Sequence, residues 1–109
     1  MCACALSFGV AAIAAEGDPR ERGQKIFVDQ QCGLCHAIAG NGNLDGPLDD
    51  VGSRLSADTI RAWLTETKRM TRKTAATFRR HRQPEMTEYK LLKDDVDALV
   101  AYLSSLKKK

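Results

Sequence analysis

The sequence predicts an all-α fold, and three observations support this prediction. Apolar residues recur at helical spacing in three separate stretches, at residues 23–27, 60–64 and 96–106. The stretches begin near residues that favour helix starts. No part of the chain shows the strict alternation of a half-buried strand, and no segment is repeated. The sequence therefore predicts two terminal helices, one internal helix and long loops.

The first predicted helix begins at Asp18, a favourable N-cap residue that is followed by Pro19 at the first helical position. Gly23 and Phe27 lie on its small or apolar face, which continues to about residue 30. Residues 39–53 are rich in glycine, asparagine and aspartate, and we expect an irregular loop there.

The internal helix is expected to begin after Ser56, a second N-cap residue, and to end near Thr67. A segment with weak helix propensity follows it. Residues 83–87 are expected to form another loop, because Pro84 disfavours helical backbone at Gln83.

The last helix is the clearest element of the chain. Asp94, Asp95 and Asp97 are placed in its first turn, where negative charge complements the helix dipole. The basic residues 107–109 are placed at its other end. One face of this helix carries the apolar residues Val96, Leu99, Val100, Leu103 and Leu106.

The composition favours a small domain whose core is completed by a group that is not protein. The chain has 109 residues, of which 43% are hydrophobic and 6% aromatic. A length of this order allows one domain. Because so short a chain buries only a modest core, a disulfide, metal or cofactor becomes a reasonable expectation.

The charge is small overall but unevenly distributed. The chain has 17 basic and 14 acidic residues, and a net charge of +3. Residues 68–82 contain no acid, and the rest of the chain is net acidic. The basic residues of this basic segment are Lys68, Arg69, Arg72, Lys73, Arg79, Arg80 and Arg82.

Residues 1–15 are predicted to form a signal peptide, which leaves residues 16–109 as a single domain. This first stretch is apolar and uncharged, and it is too short to span a bilayer. Residues 12–14 have the small-x-small form of a signal-peptidase site. No basic residue precedes the stretch, so we expect the true start to lie upstream of Met1, and a retained anchor is the alternative. Cleavage would remove Cys2 and Cys4.

Cys32, Cys35 and His36, in the stretch QCGLCH, form the most informative motif of the sequence. A structural zinc site requires a second pair of ligands, which the mature domain lacks. A thioredoxin-like redox motif requires a βαβ context, and no strands are predicted. A plain disulfide remains possible in an exported protein, but it does not explain why a histidine follows directly.

Covalent haem attachment accounts for all three residues. In a Cys-x-x-Cys-His motif the two thiols form thioether bonds to the vinyl groups of haem. His36, the next residue, then ligates the iron through a ring nitrogen. A large apolar cofactor would also complete the core of this short chain.

With these residues in view, the sequence resembles the class I c-type cytochromes, specifically the small bacterial monohaem proteins. The resemblance covers residues 17–107. It is carried by an ordered set of features, which are Gly23 and Phe27 before the motif, the motif itself, Gly46-Pro47 after it, Met86 after a proline, and Leu99–Leu103 on the closing helix. It implies terminal helices that cross near Leu99 and Tyr102, with long loops wrapped around one covalent haem c.

The resemblance also implies roles for individual residues. Cys32 and Cys35 would bind the haem, His36 would be the proximal iron ligand, and a backbone carbonyl near Pro47 would fix the imidazole. Met86 is the predicted distal ligand. His81 is the second candidate, and Met70 is a weaker one. The family often has Met-Pro at the distal position, whereas here the proline precedes the methionine.

Three further side chains are candidates for haem contacts. Trp63 and Arg54 could each donate a hydrogen bond to a haem propionate. The simpler interpretations are a core tryptophan and a solvated arginine. Tyr89 is a similar candidate.

The predicted function is that of a periplasmic one-electron carrier, and not of an enzyme, although the chain could serve as the cytochrome subunit or acceptor of a dehydrogenase or oxidase. One alternative is a haem c sensor or catalyst with an open or displaceable sixth site. Another is a haem-free secreted helical module with a disulfide. The expected partners are redox proteins that dock at the basic segment 68–82. Neither nucleic acid binding nor stable membrane insertion after signal cleavage is expected.

Overall fold

The computed structural model of the chain describes residues 17–74 and 85–108. Within these ranges the protein is mainly helical, which confirms the predicted all-α class. The helices are α1 (Pro19–Asp29), α2 (Val51–Arg54), α3 (Ala57–Thr65), α4 (Thr67–Lys73) and α5 (Lys93–Ser104). A 3₁₀ turn at Cys32–Leu34 follows α1. The two-residue strands β1 (Ala37–Ile38) and β2 (Asn41–Gly42) form an antiparallel hairpin.

Some of the predicted features lie outside the described residues. The predicted signal peptide at residues 1–15, with Cys2 and Cys4, is one of them. The others are His81, Pro84 and the three arginines at positions 79, 80 and 82 of the basic segment.

Helix α1 begins as the sequence predicts. The Asp18 carboxylate accepts a hydrogen bond from the backbone N–H of Arg20 at 2.9 Å, and Pro19 occupies the first turn. The helix ends at Asp29, and Gln31 adopts a left-handed conformation with φ of 57°. This residue turns the chain from α1 directly into the 3₁₀ turn.

Helices α1 and α5 cross at Gly23, as the family resemblance implies. Gly23 is buried, and a Cβ atom there would collide with the Ala98 carbonyl and would lie 2.6 Å from Tyr102 Cβ. One turn further along α1, the rings of Phe27 and Tyr102 meet edge to face with centroids 6.2 Å apart. The exposed pair Arg22–Asp95, at 2.9 Å, links the same two helices.

Helix α3 also packs on α5. The Ser56 hydroxyl accepts a hydrogen bond from Thr59 N–H at 3.2 Å, which confirms the predicted N-cap. Ile60 and Leu64 are buried on the inner face of this helix. At its surface the Arg61 guanidinium lies 2.7 Å from the Asp97 carboxylate of α5.

One predicted loop contains two pieces of regular structure that the sequence did not indicate. The hairpin at residues 37–42 falls in a region expected to be irregular, but strands of two residues are too short to show an alternating pattern. Helix α2 is a single turn in the same region. Val51 in this turn is buried, and the Gly52 N–H donates to the Leu106 carbonyl at 2.8 Å.

Helix α4 corrects the sequence prediction for the start of the basic segment, where weak propensity indicated no helix. The predicted internal helix is α3, which ends at Thr65, close to the expected Thr67, and α4 begins at Thr67 as a separate helix. Thr67, Met70 and Thr71 are buried on one side of α4. Packing of this inner face therefore overrides the low propensity of the segment.

The end of the chain departs slightly from expectation. Asp94 and Asp95 lie in the first turn of α5, but Asp97 lies beyond it. Asp97 is paired with two cations instead. Hydrogen bonds from Lys93 and Arg61 lower the pKa of its carboxyl. The helix ends at Ser104, so Lys107 and Lys108 follow it, and Lys107 Nζ donates to the Gly52 carbonyl at 2.7 Å.

The core lies between α1, α3 and α5. Cys32 and Met86 are partly buried and pack against it. Two residues predicted to bind a cofactor, one from the cysteine motif and one from the segment before α5, thus contact the core. The buried members of this core are Phe27, Val51, Ile60, Leu64, Val96, Leu99, Val100 and Leu103. Among the described residues, no helix is long and apolar enough to cross a membrane.

The crossing at Gly23 can be tested by Gly23→Ala. Because the new Cβ would overlap the backbone of α5, we expect the free energy of unfolding to fall by about 1–3 kcal/mol. Urea denaturation of the purified protein measures this change. Gly17→Ala is the matched control, since a Cβ at Gly17 would lie 3.6 Å from its nearest neighbour, Glu21 Oε2. Equal stability of both variants would show that the close approach is not required.

Candidate functional site

The two thiols and the imidazole lie on one compact turn at the end of α1. The Cys32 carbonyl accepts hydrogen bonds from the N–H groups of Cys35, at 3.2 Å, and His36, at 3.0 Å. Cys32 is half-buried and Cys35 is exposed, and both are free thiols. Burial raises the pKa of the Cys32 thiol. The turn therefore presents one half-buried and one exposed thiol next to the residue whose ring follows them in the chain.

The imidazole of His36 is fixed by a backbone carbonyl. Its Nδ1 lies 3.1 Å from the carbonyl oxygen of Gly46, which can only accept, so Nδ1 carries the proton. Burial lowers the pKa of His36, and the Gly46 contact opposes this effect. The neutral ring that results keeps an electron pair on Nε2, which is the form that ligates a metal.

The segment around Pro47 supplies the contact that the family resemblance implied. Ala37 N–H donates to the Gly46 carbonyl at 3.0 Å, and Leu48 N–H donates to the Ala37 carbonyl at 2.8 Å. A Cβ at Gly46 would collide with the Cys35 carbonyl and lie 3.2 Å from His36 Nδ1. Gly46 is therefore the residue that contacts the imidazole. The sequence indicated it only as the glycine before Pro47.

Asn43 also holds the motif in place, a role that was not predicted from the sequence. Its backbone N–H donates to the carbonyls of Gly33, at 3.0 Å, and His36, at 3.1 Å. Its side-chain amide donates to the Leu34 carbonyl at 3.1 Å, and its Oδ1 accepts from Asp45 N–H at 2.9 Å. An asparagine in a glycine-rich turn was the available signal, because such side chains often bond to nearby backbone.

Met86 lies on a separate segment of the chain. It is half-buried and borders a groove of about 370 Å³ between α4 and residues 85–88. Thr71 lines the same groove, and its buried hydroxyl has no hydrogen-bond partner among the described residues. The other methionine candidate, Met70, is buried in α4.

Tyr89 is a further residue of the segment that carries Met86. Burial raises the pKa of its phenol, and negative charge on Cys32 or Cys35 would add to the effect. Met86 itself packs against the same hydrophobic core as Cys32.

Of the candidates for propionate contacts, Arg54 has a carboxylate partner within the protein. Arg54 is exposed, and its Nε lies 2.8 Å from the Asp50 carboxylate. Trp63 is half-buried on α3, and its carbonyl accepts a hydrogen bond from the Thr67 hydroxyl at 2.7 Å. Within the described ranges, no cluster of three or more His, Cys, Asp or Glu side chains could hold a metal ion by itself.

The donor set fits a covalently attached haem. Two thiols on one turn, a neutral imidazole with Nε2 available and a half-buried thioether are the ligand types that this group uses. The buried Thr71 hydroxyl, which lacks a partner among the described residues, is the kind of polar atom that a bound group can satisfy.

An all-α domain with crossing terminal helices and this donor set has the features of a c-type cytochrome. The cytochrome c family model matches residues 20–107, and the chain therefore belongs to the cytochrome c family. No curated protein and no solved structure matched the chain. Membership of this family means that the chain binds haem c covalently, with its iron, and acts in electron transfer.

The contribution of Asn43 can be tested by Asn43→Ala. The variant loses the hydrogen bond from the side-chain amide to the Leu34 carbonyl and the one accepted from the Asp45 N–H. This loss should lower the free energy of unfolding by about 1–2 kcal/mol. Denaturant unfolding of the haem-loaded protein measures it. Asn41→Ala, at an exposed position of β2, is the control and should change stability by less than about 0.5 kcal/mol.

Proposed function

We propose that the protein is a periplasmic one-electron carrier with His/Met ligation. Cys32 and Cys35 hold the haem by thioether bonds, His36 is the proximal ligand and Met86 is the distal ligand. The observation that carries the proposal is the 3.1 Å contact between His36 Nδ1 and the Gly46 carbonyl. It orients the ring and leaves Nε2 as the only nitrogen for a metal.

The chain's own residues decide what this site can do. When bound, the haem supplies an iron that gains or loses a single electron. His36 and Met86 would both hold the iron, so no substrate would reach it and no bond to a substrate would be made or broken. A thioether ligand such as Met86 raises the reduction potential relative to a second histidine. His81 is the alternative distal ligand.

The location and setting form part of the same proposal. The apolar stretch at residues 1–15 supports export, and cleavage near Ala14 would leave a single domain. Periplasmic location also suits thioether attachment to free thiols such as Cys35. We propose further that the carrier serves as the cytochrome subunit or acceptor of a dehydrogenase or oxidase.

Covalent attachment is tested first. A haem stain that survives denaturing electrophoresis supports thioether bonds, because these bonds persist after the fold is lost. The variant Cys32→Ser/Cys35→Ser should lose the stain completely. An unstained wild-type protein would instead support the alternative of a haem-free helical module.

The distal ligand is tested by Met86→Ala. We expect the reduction potential to fall by a sizeable part of the roughly 0.8 V over which axial ligands set haem potentials. The weak red absorption band of oxidised Met-ligated haem should also disappear. Redox titration followed by absorption spectroscopy measures both effects.

Met70→Ala is the matched control for Met86. Met70 is buried in α4, so its loss should lower stability but retain the band. Retention of the band in Met86→Ala would contradict the proposal. Rapid binding of CO to the reduced wild-type protein would favour the alternative of an open or displaceable sixth site.

The basic segment 68–82 is the proposed docking site for an acidic redox partner. In its described part, Lys68 pairs with Glu88 at 3.2 Å and Arg69 pairs with Glu66 at 2.9 Å. Arg72 and Lys73 are exposed at the end of α4. Exposed cations of this kind speed the encounter with an acidic surface.

This docking site is tested with ferrocyanide, an anionic electron donor. At about 10 mM ionic strength, the variant Arg79→Ser/Arg80→Ser/Arg82→Ser should react about three- to tenfold more slowly and show a flatter salt dependence. Stopped-flow spectroscopy measures the rate. Arg72→Ser should be slower than Lys25→Ser, which removes an exposed cation from α1. Unchanged rates at low salt would discard this docking site.

A further inference from the structure

The residues that follow α5 fold back onto the single turn of α2. Gly52 N–H donates to the Leu106 carbonyl at 2.8 Å, and Lys107 Nζ donates to the Gly52 carbonyl at 2.7 Å. Lys108 N–H donates to the Ser53 hydroxyl at 2.7 Å. The two lysine contacts each join residues that are 55 positions apart in the chain, so they are tertiary contacts and not local turns.

Residues 106–108, which we call the clasp, lie where two backbones approach closely. A Cβ atom at Gly52 would collide with the Ser104 carbonyl and lie 2.9 Å from the Leu106 carbonyl oxygen. The Ser104 hydroxyl is buried, and so is Val51, the neighbour of Gly52. Helix α2 is therefore seated on the end of α5, and a glycine at position 52 leaves the room for this contact.

Helix α2 depends on such contacts because it is very short. It has four residues, and its N-cap residue Asp50 makes no side-chain capping bond. The Asp50 carboxylate accepts instead from Arg54 Nε at 2.8 Å. One turn of helix is marginal in water, because helix nucleation is unfavourable. Burial of Val51 and the hydrogen bonds of the clasp are therefore what hold α2 in place.

A series of hydrogen bonds leads from α2 to the imidazole of His36. Val51 N–H donates to the Leu48 carbonyl at 3.1 Å, and Leu48 N–H donates to the Ala37 carbonyl at 2.8 Å. Ala37 N–H and His36 Nδ1 both donate to the Gly46 carbonyl, at 3.0 and 3.1 Å. The loop from Gly46 to α2 is thus attached to the cysteine motif at one end and to the clasp at the other.

We propose that the clasp positions the proximal iron ligand. By holding α2, it holds the loop whose Gly46 carbonyl orients the His36 ring, and release of the clasp lets this loop open. Gly52, Ser53 and Lys107 act on the imidazole through Gly46 and are positioning residues. The inference rests on the proposed function, since it needs His36 to be an iron ligand.

Hydrogen exchange shows which contacts the opening of a loop breaks. A protected hydrogen exchanges only while its bond is open, so a variant accelerates exchange when it weakens a contact that this opening breaks. If the clasp holds the loop, opening at Leu48 breaks the clasp but leaves the helix crossing at Gly23 intact. The amide of Leu99, which lies in α5 and is 1% exposed, reports instead on global unfolding.

The measurement is hydrogen exchange of the reduced, haem-loaded protein, followed by NMR. In Gly52→Ala the Leu48 amide and the Nδ1 hydrogen of His36 should exchange about tenfold faster or more, because the new Cβ forces α2 away from α5. Gly23→Ala is the contrasting variant. It should accelerate exchange at Leu99 by about five- to a hundredfold, but change exchange at Leu48 by less than about twofold.

Two adjacent lysines provide the matched control. Lys107 joins the clasp through its side chain, whereas Lys108 joins it through its backbone N–H. Lys107→Ala should accelerate Leu48 exchange about two- to tenfold, and Lys108→Ala, with the same loss of charge, by less than about twofold. Lys107→Arg, which keeps a side-chain donor, should stay within about twofold of the wild-type rate.

The test does not depend on the folding of Gly52→Ala. Ser53→Ala removes only the acceptor of the Lys108 N–H, and it should accelerate Leu48 exchange in the same direction as Lys107→Ala. Both are mild changes at exposed hydrogen bonds, so they apply if Gly52→Ala fails to fold.

Three results would overturn the proposal. In the first, no clasp variant changes exchange at Leu48, so that the loop opens without the clasp. In the second, Leu48 exchange accelerates but that of the His36 Nδ1 hydrogen does not, so that the clasp does not hold the ring. In the third, Gly23→Ala accelerates Leu48 and Leu99 equally, so that the loop opens only when the whole protein unfolds. Failure of the proposed function appears separately, as absence of the haem stain or retention of the red band in Met86→Ala.

Discussion

The close approach of α1 and α5 at Gly23 is the contact on which the rest of the structure depends. Without a Cβ at this position, α1 lies against the backbone of α5 at Ala98, and Phe27 meets Tyr102 one turn later. The crossing positions α1 against the core, and Gln31 then turns the chain at once into the cysteine motif. A contact between two helices thus helps to set where the thiols and the imidazole lie relative to the core.

The motif is held in turn by the loop that follows it. Asn43 bonds to the carbonyls of Gly33, Leu34 and His36, and the Gly46 carbonyl accepts from the imidazole. These hydrogen bonds do not depend on a cofactor, and support of this kind preorganises a functional site. An electron carrier benefits because little rearrangement is needed when the charge on its centre changes.

The sequence predicted the parts of the fold that depend on local chemistry. The caps at Asp18 and Ser56 follow from side chains that satisfy free N–H groups, and the cysteine motif follows from its spacing. Helix α4 could not be predicted, since burial of Thr67, Met70 and Thr71 decides it against propensity. The roles of Asn43 and Gly46 depend on loops that return to the motif from about ten residues away. A single sequence does not show which loop residues will contact the motif once the chain folds.

Because charge is distributed unevenly along the chain, the net charge of +3 does not describe the charge at any one surface. At physiological ionic strength the Debye length is about 8 Å, so a docked partner responds mainly to the charges around its own contact. Residues 26–53 include four aspartates and no lysine or arginine, whereas α4 is basic. A carrier must meet both a donor and an acceptor. If the basic segment docks one of these partners, as proposed, the acidic stretch offers the other a charge of opposite sign without any change in the fold.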